Sequence, residues 1–182
     1  MHILDNALAD PHILKPYVSN PQFDTLHKLI GELPIAMLTS AGADGSLISR
    51  PLQTLAFDAE HVLWFATDAN SEKATQIKAN PHIGLSYSDR RDNSYVSVSG
   101  PARLLRDPQK LAELWTPAMS IFFPQGKDDA DLLLIRVEIE RAEFWDGPST
   151  IVGKMLYLAA AAITGNPGVM TDNAKVEPVS TF

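Results

Sequence analysis

Arg50, Ser71 and Lys73 are the residues of this chain best suited to gripping an anion. They supply a guanidinium, a hydroxyl and an ammonium, set in Ser49-Arg50-Pro51-Leu52 and Asn70-Ser71-Glu72-Lys73. Between them lies Leu63-Trp64-Phe65-Ala66-Thr67, an apolar stretch of strand character, and a helical pattern opens at Ser71. Two cations and the free amides of a helix start can converge on a phosphate, while the strand between them offers aromatic and apolar surface to a ring system. That chemistry suits a flat, phosphorylated ligand, and flavin mononucleotide (FMN) meets the description. The plainer alternative is an ordinary N-cap at Ser71 beside two solvated cations.

The other reactive side chains form weaker patterns. His2, His12, His27, His61 and His82 are far apart without ligand spacing, which argues against a metal site. Asp128, Asp129 and Asp131 lack the ordered loop of a calcium site and read as a solvated turn. Ser97 and Ser99 alternate along a strand pattern with no histidine beside them, so polar packing explains them better than nucleophilic chemistry. A Gly-rich dinucleotide fingerprint is absent, so a nicotinamide cofactor would have to visit without a Rossmann site.

Composition limits the setting. The chain has 182 residues, 45% of them apolar, which is enough for one well-buried core. A formal net charge of -7 opposes a sequence-independent grip on nucleic acid, and a small anion would need a local cationic pocket. Cysteine is absent, excluding disulfides, thiolate metal sites and a cysteine nucleophile. The first residues lack a secretory pattern, and the apolar run 155–163 is shorter than a membrane span. A cytoplasmic protein with no membrane partner is the expectation.

The elements that must position these groups follow from periodicity. Residues 1–20 carry Pro11 and Pro16, with Pro21 directly after them, and read as an N-terminal arm, 21–165 as one domain ending in a helix, and 166–182 as a tail. Phe23, Leu26, Leu29 and Ile30 mark one face of a helix that Gly31 is expected to stop. Strands are predicted over 34–39, 46–57 and 61–67, with Asp44-Gly45 turning the first hairpin and Pro51 tolerable only at an edge or bulge. A short helix over 71–79 ends at Asn80-Pro81, and strands over 82–88 and 95–105 follow. Asp107-Pro108 opens another helix reaching Trp115, 116–131 reads as an ordered flap, 132–145 as one long strand, and 152–163 as a terminal helix. Six strands joined by tight turns, with helices in only a few places, predict a mainly β, α+β fold: a small six-stranded antiparallel barrel.

The order of these pieces across residues 37–146 resembles the FMN-binding split-barrel family related to pyridoxamine 5'-phosphate oxidase, and within it the bacterial general stress proteins. The matching pieces are Met37-Leu38-Thr39, Asp44-Gly45, Ser49-Arg50-Pro51-Leu52, Leu63-Trp64-Phe65-Ala66-Thr67, Ser71-Glu72-Lys73, Tyr95-Val96-Ser97-Val98-Ser99-Gly100, Glu113-Leu114-Trp115 and Ala142-Glu143-Phe144-Trp145-Asp146. The resemblance implies a homodimer with FMN at the interface. It places Arg50, Ser71 and Lys73 at the phosphate, and Pro51, Leu52, Gln53, Phe65, Ala66 and Thr67 along the ribityl chain and ring. Tyr95 and Trp145 would touch the flavin, Trp145 from across the dimer, with Trp115 a weaker candidate for the same wall.

Three departures shape the functional reading. Glu72 stands where the oxidase has an arginine, Leu55 where it has a lysine, and its C-terminal arginine- and histidine-bearing motif has no counterpart after Trp145. These differences argue against vitamin B6 oxidation. The expectation is an FMN-dependent oxidoreductase acting on another substrate, with NAD(P)H or a small molecule as electron donor. Trp115, Phe122 and Phe123 are its candidates for the substrate side, and no catalytic acid or base is evident. The alternative is a non-catalytic FMN carrier, reservoir or redox-responsive protein.

Overall fold

The apolar stripe of Phe23, Leu26, Leu29 and Ile30 is buried along one face of α1 (Pro21–Glu32). The structure is a computed structural model that describes residues 21–146 and 172–176. Gly31 does not stop α1. The helix runs one residue further, Leu33 N–H donates to the carbonyls of Leu29 and Ile30, and Pro34 then forbids another turn.

A hairpin follows, β1 (Ile35–Ala41) against β2 (Leu47–Gln53), in the register Met37 opposite Pro51 and Leu38 opposite Arg50. Gly45 makes the turn possible by adopting φ +82°. The strand expected over 46–57 does not continue unbroken. Thr54 N–H donates to Pro34 C=O, whereas the next residue, Leu55, donates to Trp64 C=O, so the chain leaves β1 there and joins β4 (Val62–Asp68) through the short β3 (Ala56–Phe57). The buried Tyr87 hydroxyl meets Thr54 Oγ1 at 3.0 Å at this crossing. Burial pushes the Tyr87 pKa up to about 12, so it remains a neutral phenol.

Helix α2 (Glu72–Ala79), β5 (His82–Asp89), β6 (Ser94–Leu105) and α3 (Pro108–Leu114) come next, then a 3-10 turn, Pro117–Ile121, within the expected flap. The predicted strand over 132–145 is two strands, β7 (Leu132–Glu138) and β8 (Arg141–Asp146). Both lie along the same edge of β6, β7 beside 102–105 and β8 beside 94–99, and the chain corners between them. In the stretch read as a tail, β9 (Asp172–Val176) pairs with β8. The described residues therefore contain nine strands rather than six. The expected arm at 1–20 and terminal helix at 152–163 lie outside the described residues.

The strands follow the path β2-β1-β5-β6-β7-β4-β3, with antiparallel neighbours throughout. β4 and β7 bury both faces, which accounts for their near-continuous apolar sequences. Leu63, Phe65, Ile135 and Val137 point into the barrel core with Leu38, Leu85, Val96 and Val98. Val62, Trp64, Leu132 and Leu134 form a second core with Leu111 and Leu114 of α3. No helix among the described residues is long and apolar enough to cross a membrane.

Gly100 sits where β6 is shared between the two halves of the sheet. A Cβ there would stand 1.9 Å from Glu138 C=O at the β7–β8 corner. Gly100→Ala should destabilise the fold by about 1 to 3 kcal/mol, because backbone rather than a movable side chain must yield. Urea denaturation measures the loss, and an unchanged midpoint would mean that the corner gives way freely.

Two stacked pairs fasten α1 to the barrel: Phe23 on His61, with centroids 3.6 Å apart, and His27 on Phe57 at 3.7 Å. Burial lowers both histidine pKa values from their ordinary 6.5, and the charge of His27 lowers that of His61 further, while Asp24 and Asp58 oppose the shifts. The folded chain thus binds fewer protons than the unfolded one in this range. Stability should be full above about pH 6.5, fall as pH drops below it, and level off past the folded-state values. Melting temperature followed from about pH 7.5 to about pH 5 tests this, and His27→Gln should flatten the slope.

Candidate functional site

Among the described residues the sheet does not close. β2 is the first strand of the path, and the ladder on the outer edge of β4 stops at Trp64 because β3 is only two residues long. Between these two edges opens a cavity of about 560 Å³, lined by residues 50–53 and 55 on one side and Ala66, Thr67, Asp68 and Lys73 on the other. Ile35, Met119, Phe122 and Phe123 complete the wall. Pro51 fits this edge for a backbone reason. Thr54 N–H points to β1, so alternation turns residue 51 outward, where a missing N–H breaks no ladder bond.

Two cations meet at the cavity. Lys73, in the first turn of α2, makes no hydrogen bond or ion pair to any described residue. Burial lowers its pKa from 10.5, the neighbouring Arg50 charge lowers it further, and Asp68 opposes both. Arg50 is held from behind: Nη1 donates to Ser40 Oγ at 2.7 Å and Nη2 to Gln76 Oε1 at 2.8 Å. Neither contact neutralises its charge. A partly desolvated ammonium beside a guanidinium, facing open space, makes a local field that favours an anion.

Of the predicted residues, Arg50, Pro51, Leu52, Gln53, Ala66, Thr67 and Lys73 line the cavity, as do Phe122 and Phe123 of the flap. Ser71 does not. It caps α2: its Oγ accepts from Ala74 N–H and donates to Asp68 C=O, and it lies 2.9 Å from Thr67 Oγ1. The Phe65 side chain is fully buried in the barrel core, leaving only its main chain near the β4 edge. Trp115 packs against the second core rather than the cavity. Tyr95 and Trp145 face each other across the β6–β8 ladder and do not line the cavity within this chain.

Sequence reasoning missed Ile35, Leu55, Asp68 and Met119 in the wall, and Ser40 and Gln76 behind Arg50. One signal was readable. Ala36, Leu38 and Ser40 share the inward face of β1, so a hydroxyl interrupts an apolar alternation.

A family model described as "Pyridoxamine 5'-phosphate oxidase like" matches residues 21–168. The chain belongs to that family. Protein bli-3 of Neurospora crassa is 27% identical over 143 residues, covering 74% of this chain and 68% of bli-3. A putative general stress protein 26 from Jannaschia sp. CCS1 superposes with a TM-score of 0.69 at 22% identity, over 87% of this chain and 99% of that one. The general stress FMN/FAD binding protein of Xanthomonas citri superposes with a TM-score of 0.61 at 24% identity, over 70% of this chain and 90% of that one. These likenesses establish the fold as the split barrel of the family.

Because the Arg50 charge depresses Lys73, Arg50→Gln should raise the Lys73 pKa. An NMR titration of the lysine side-chain methylenes reads the shift directly. A value unmoved by the substitution would mean that the two cations do not share one field.

Proposed function

We propose that this protein binds FMN in the cleft between β2 and β4 and acts as a flavin-dependent oxidoreductase on a substrate other than vitamin B6. One observation carries the reading: Lys73 is partly buried beside Arg50, with no ion pair to any described residue and only the Asp68 charge to offset the two cations, at the wall of a cavity large enough for a nucleotide. Arg50 and Lys73 would hold the phosphate. Leu52, Leu55, Ala66 and Thr67 would border the ribityl chain and ring, and the open β4 edge would offer main-chain groups to the ring's polar rim. Membership of the family and the name of the Xanthomonas citri structure support a flavin as the ligand.

The bound flavin would supply the electron transfer. Protein groups have the simpler tasks of orienting the ring and excluding water. Phe122, 76% exposed, and Phe123 stand at the mouth and would form the substrate side, where NAD(P)H or another small donor could stack. Trp115 lies behind the flap as support rather than as a contact. The second reading, an FMN carrier or redox-responsive binder, is favoured by one feature. Among the described residues, Asp68, Arg50 and Lys73 are the only ionisable ones in the cavity wall, and two of them would be committed to the phosphate.

A homodimer belongs to this proposal. β1, β5 and β6 turn an outer face to solvent, built of Ile35, Met37, Ser86, Ser97 and Ser99 with the half-exposed Tyr95. The serines allow two such faces to approach closely, and the exposed apolar side chains of Ile35, Met37 and Tyr95 would gain from being covered. Tyr95 and Trp145 of the partner subunit would then reach a flavin that they cannot reach within their own chain.

Purified protein titrated with FMN should quench flavin fluorescence with a defined stoichiometry. Arg50→Ala and Lys73→Ala should each weaken binding at least tenfold, from the loss of about 1.5 to 3 kcal/mol of charge-assisted hydrogen bonding. Unaltered affinity in both variants would place the phosphate elsewhere. Anaerobic bleaching by NADH or NADPH at a rate no faster than free FMN would leave the carrier reading.

A further inference from the structure

We propose that Gln76 is a positioning residue for the anion pocket: together with Ser40 it fixes the Arg50 guanidinium toward the cavity, and Glu72 fixes Gln76 in turn. The inference rests on the phosphate reading above and adds how the pocket keeps its charge and direction. Ser40 is 1% exposed and Gln76 7%, which places two of the few buried polar side chains of the described core behind one cation. Ser40 Oγ donates to Gln76 Oε1 at 2.6 Å while accepting from Arg50 Nη1, and the same Oε1 accepts from Arg50 Nη2. Three side chains from β1, β2 and α2 thus close a hydrogen-bonded triangle.

The polarity of the Gln76 amide is what makes the triangle work. Its oxygen must face two donors, and its nitrogen donates to Glu72 Oε1 at 2.8 Å. A flipped amide would set NH2 against the guanidinium and its oxygen against a carboxylate, so Glu72 locks the orientation. Glu72 therefore has a role, one helical turn from the residue it orients.

A neutral amide is also the right chemical choice. A carboxylate at position 76 would orient Arg50 equally well but cancel its charge, leaving less for a phosphate. With Nη1 and Nη2 each tied by one bond, the guanidinium keeps N–H groups for a ligand and has already lost the side-chain freedom that binding would otherwise remove.

Fluorescence titration of the full chain with FMN and with riboflavin, which lacks the phosphate, tests this. Wild-type protein should prefer FMN. Gln76→Leu and Ser40→Ala should lose about tenfold for FMN with riboflavin changed less than about twofold, and Gln76→Glu should lose more than Gln76→Leu. Glu72 is exposed, so its variants test the lock without disturbing the core: Glu72→Gln, which keeps an acceptor for Nε2, should retain the FMN preference that Glu72→Ala reduces. Equal loss for both flavins, or an FMN preference unchanged across the variants, would overturn the positioning role and leave the phosphate reading standing. A wild-type protein with no preference for FMN over riboflavin would overturn both.

Discussion

A gap between two strand edges governs this structure. β2 and β4 come close, but no ladder joins them, because β3 pairs with β4 for two residues and the chain from Gln53 to Leu55 switches its hydrogen bonds from β1 to β4. A closed barrel would have filled that space with side chains from both walls. Left open, the barrel presents backbone and short side chains from both edges to one cleft, with a helix start at one end and the flap at the other. The remaining strands hold the edges at a fixed separation. Gly100 is central to that, since it lets β6 bind β8 and β7 in succession along one side.

Electrostatics give the cleft its character. The chain as a whole is acidic, so its average field repels anions, and attraction must be local. Arg50 and Lys73 come from separate elements, a strand and a helix, and neither is neutralised by an ion pair among the described residues. Leaving two like charges near each other and partly desolvated is costly unless something compensates. A buried polar triangle behind Arg50 and the Asp68 carboxylate near Lys73 offset part of that cost without removing the field.

Much of the fold was legible in the sequence because its signals are local. The stripe on α1, the Asp44-Gly45 turn, the Asn80-Pro81 stop and the alternation from Tyr95 to Ser99 each depend on neighbours a few residues away. What was missed depends on distant partners. Nothing between Leu132 and Trp145 announces that the two halves of that run pair with different stretches of β6, since both read as strand. Arg50 was named because its type and setting suggest an anion site, and residues 51–53 and 66–67 because the order of motifs resembles a flavin-binding family, yet the second wall of hydrogen bonds, through Gln76, joins side chains 26 positions apart. Ser71 illustrates the opposite limit: its motif is genuine, and a helix cap accounts for its hydroxyl.

Pro51 carries one further consequence. An unpaired strand edge invites another extended segment to dock on it, whether a stray peptide or a neighbouring molecule, and such docking would plug the cleft with backbone. At position 51 the outward nitrogen has no hydrogen to give, so an incoming strand would find its ladder interrupted midway along β2. The imino ring thereby guards the groove against cross-β recruitment while leaving it accessible to small molecules.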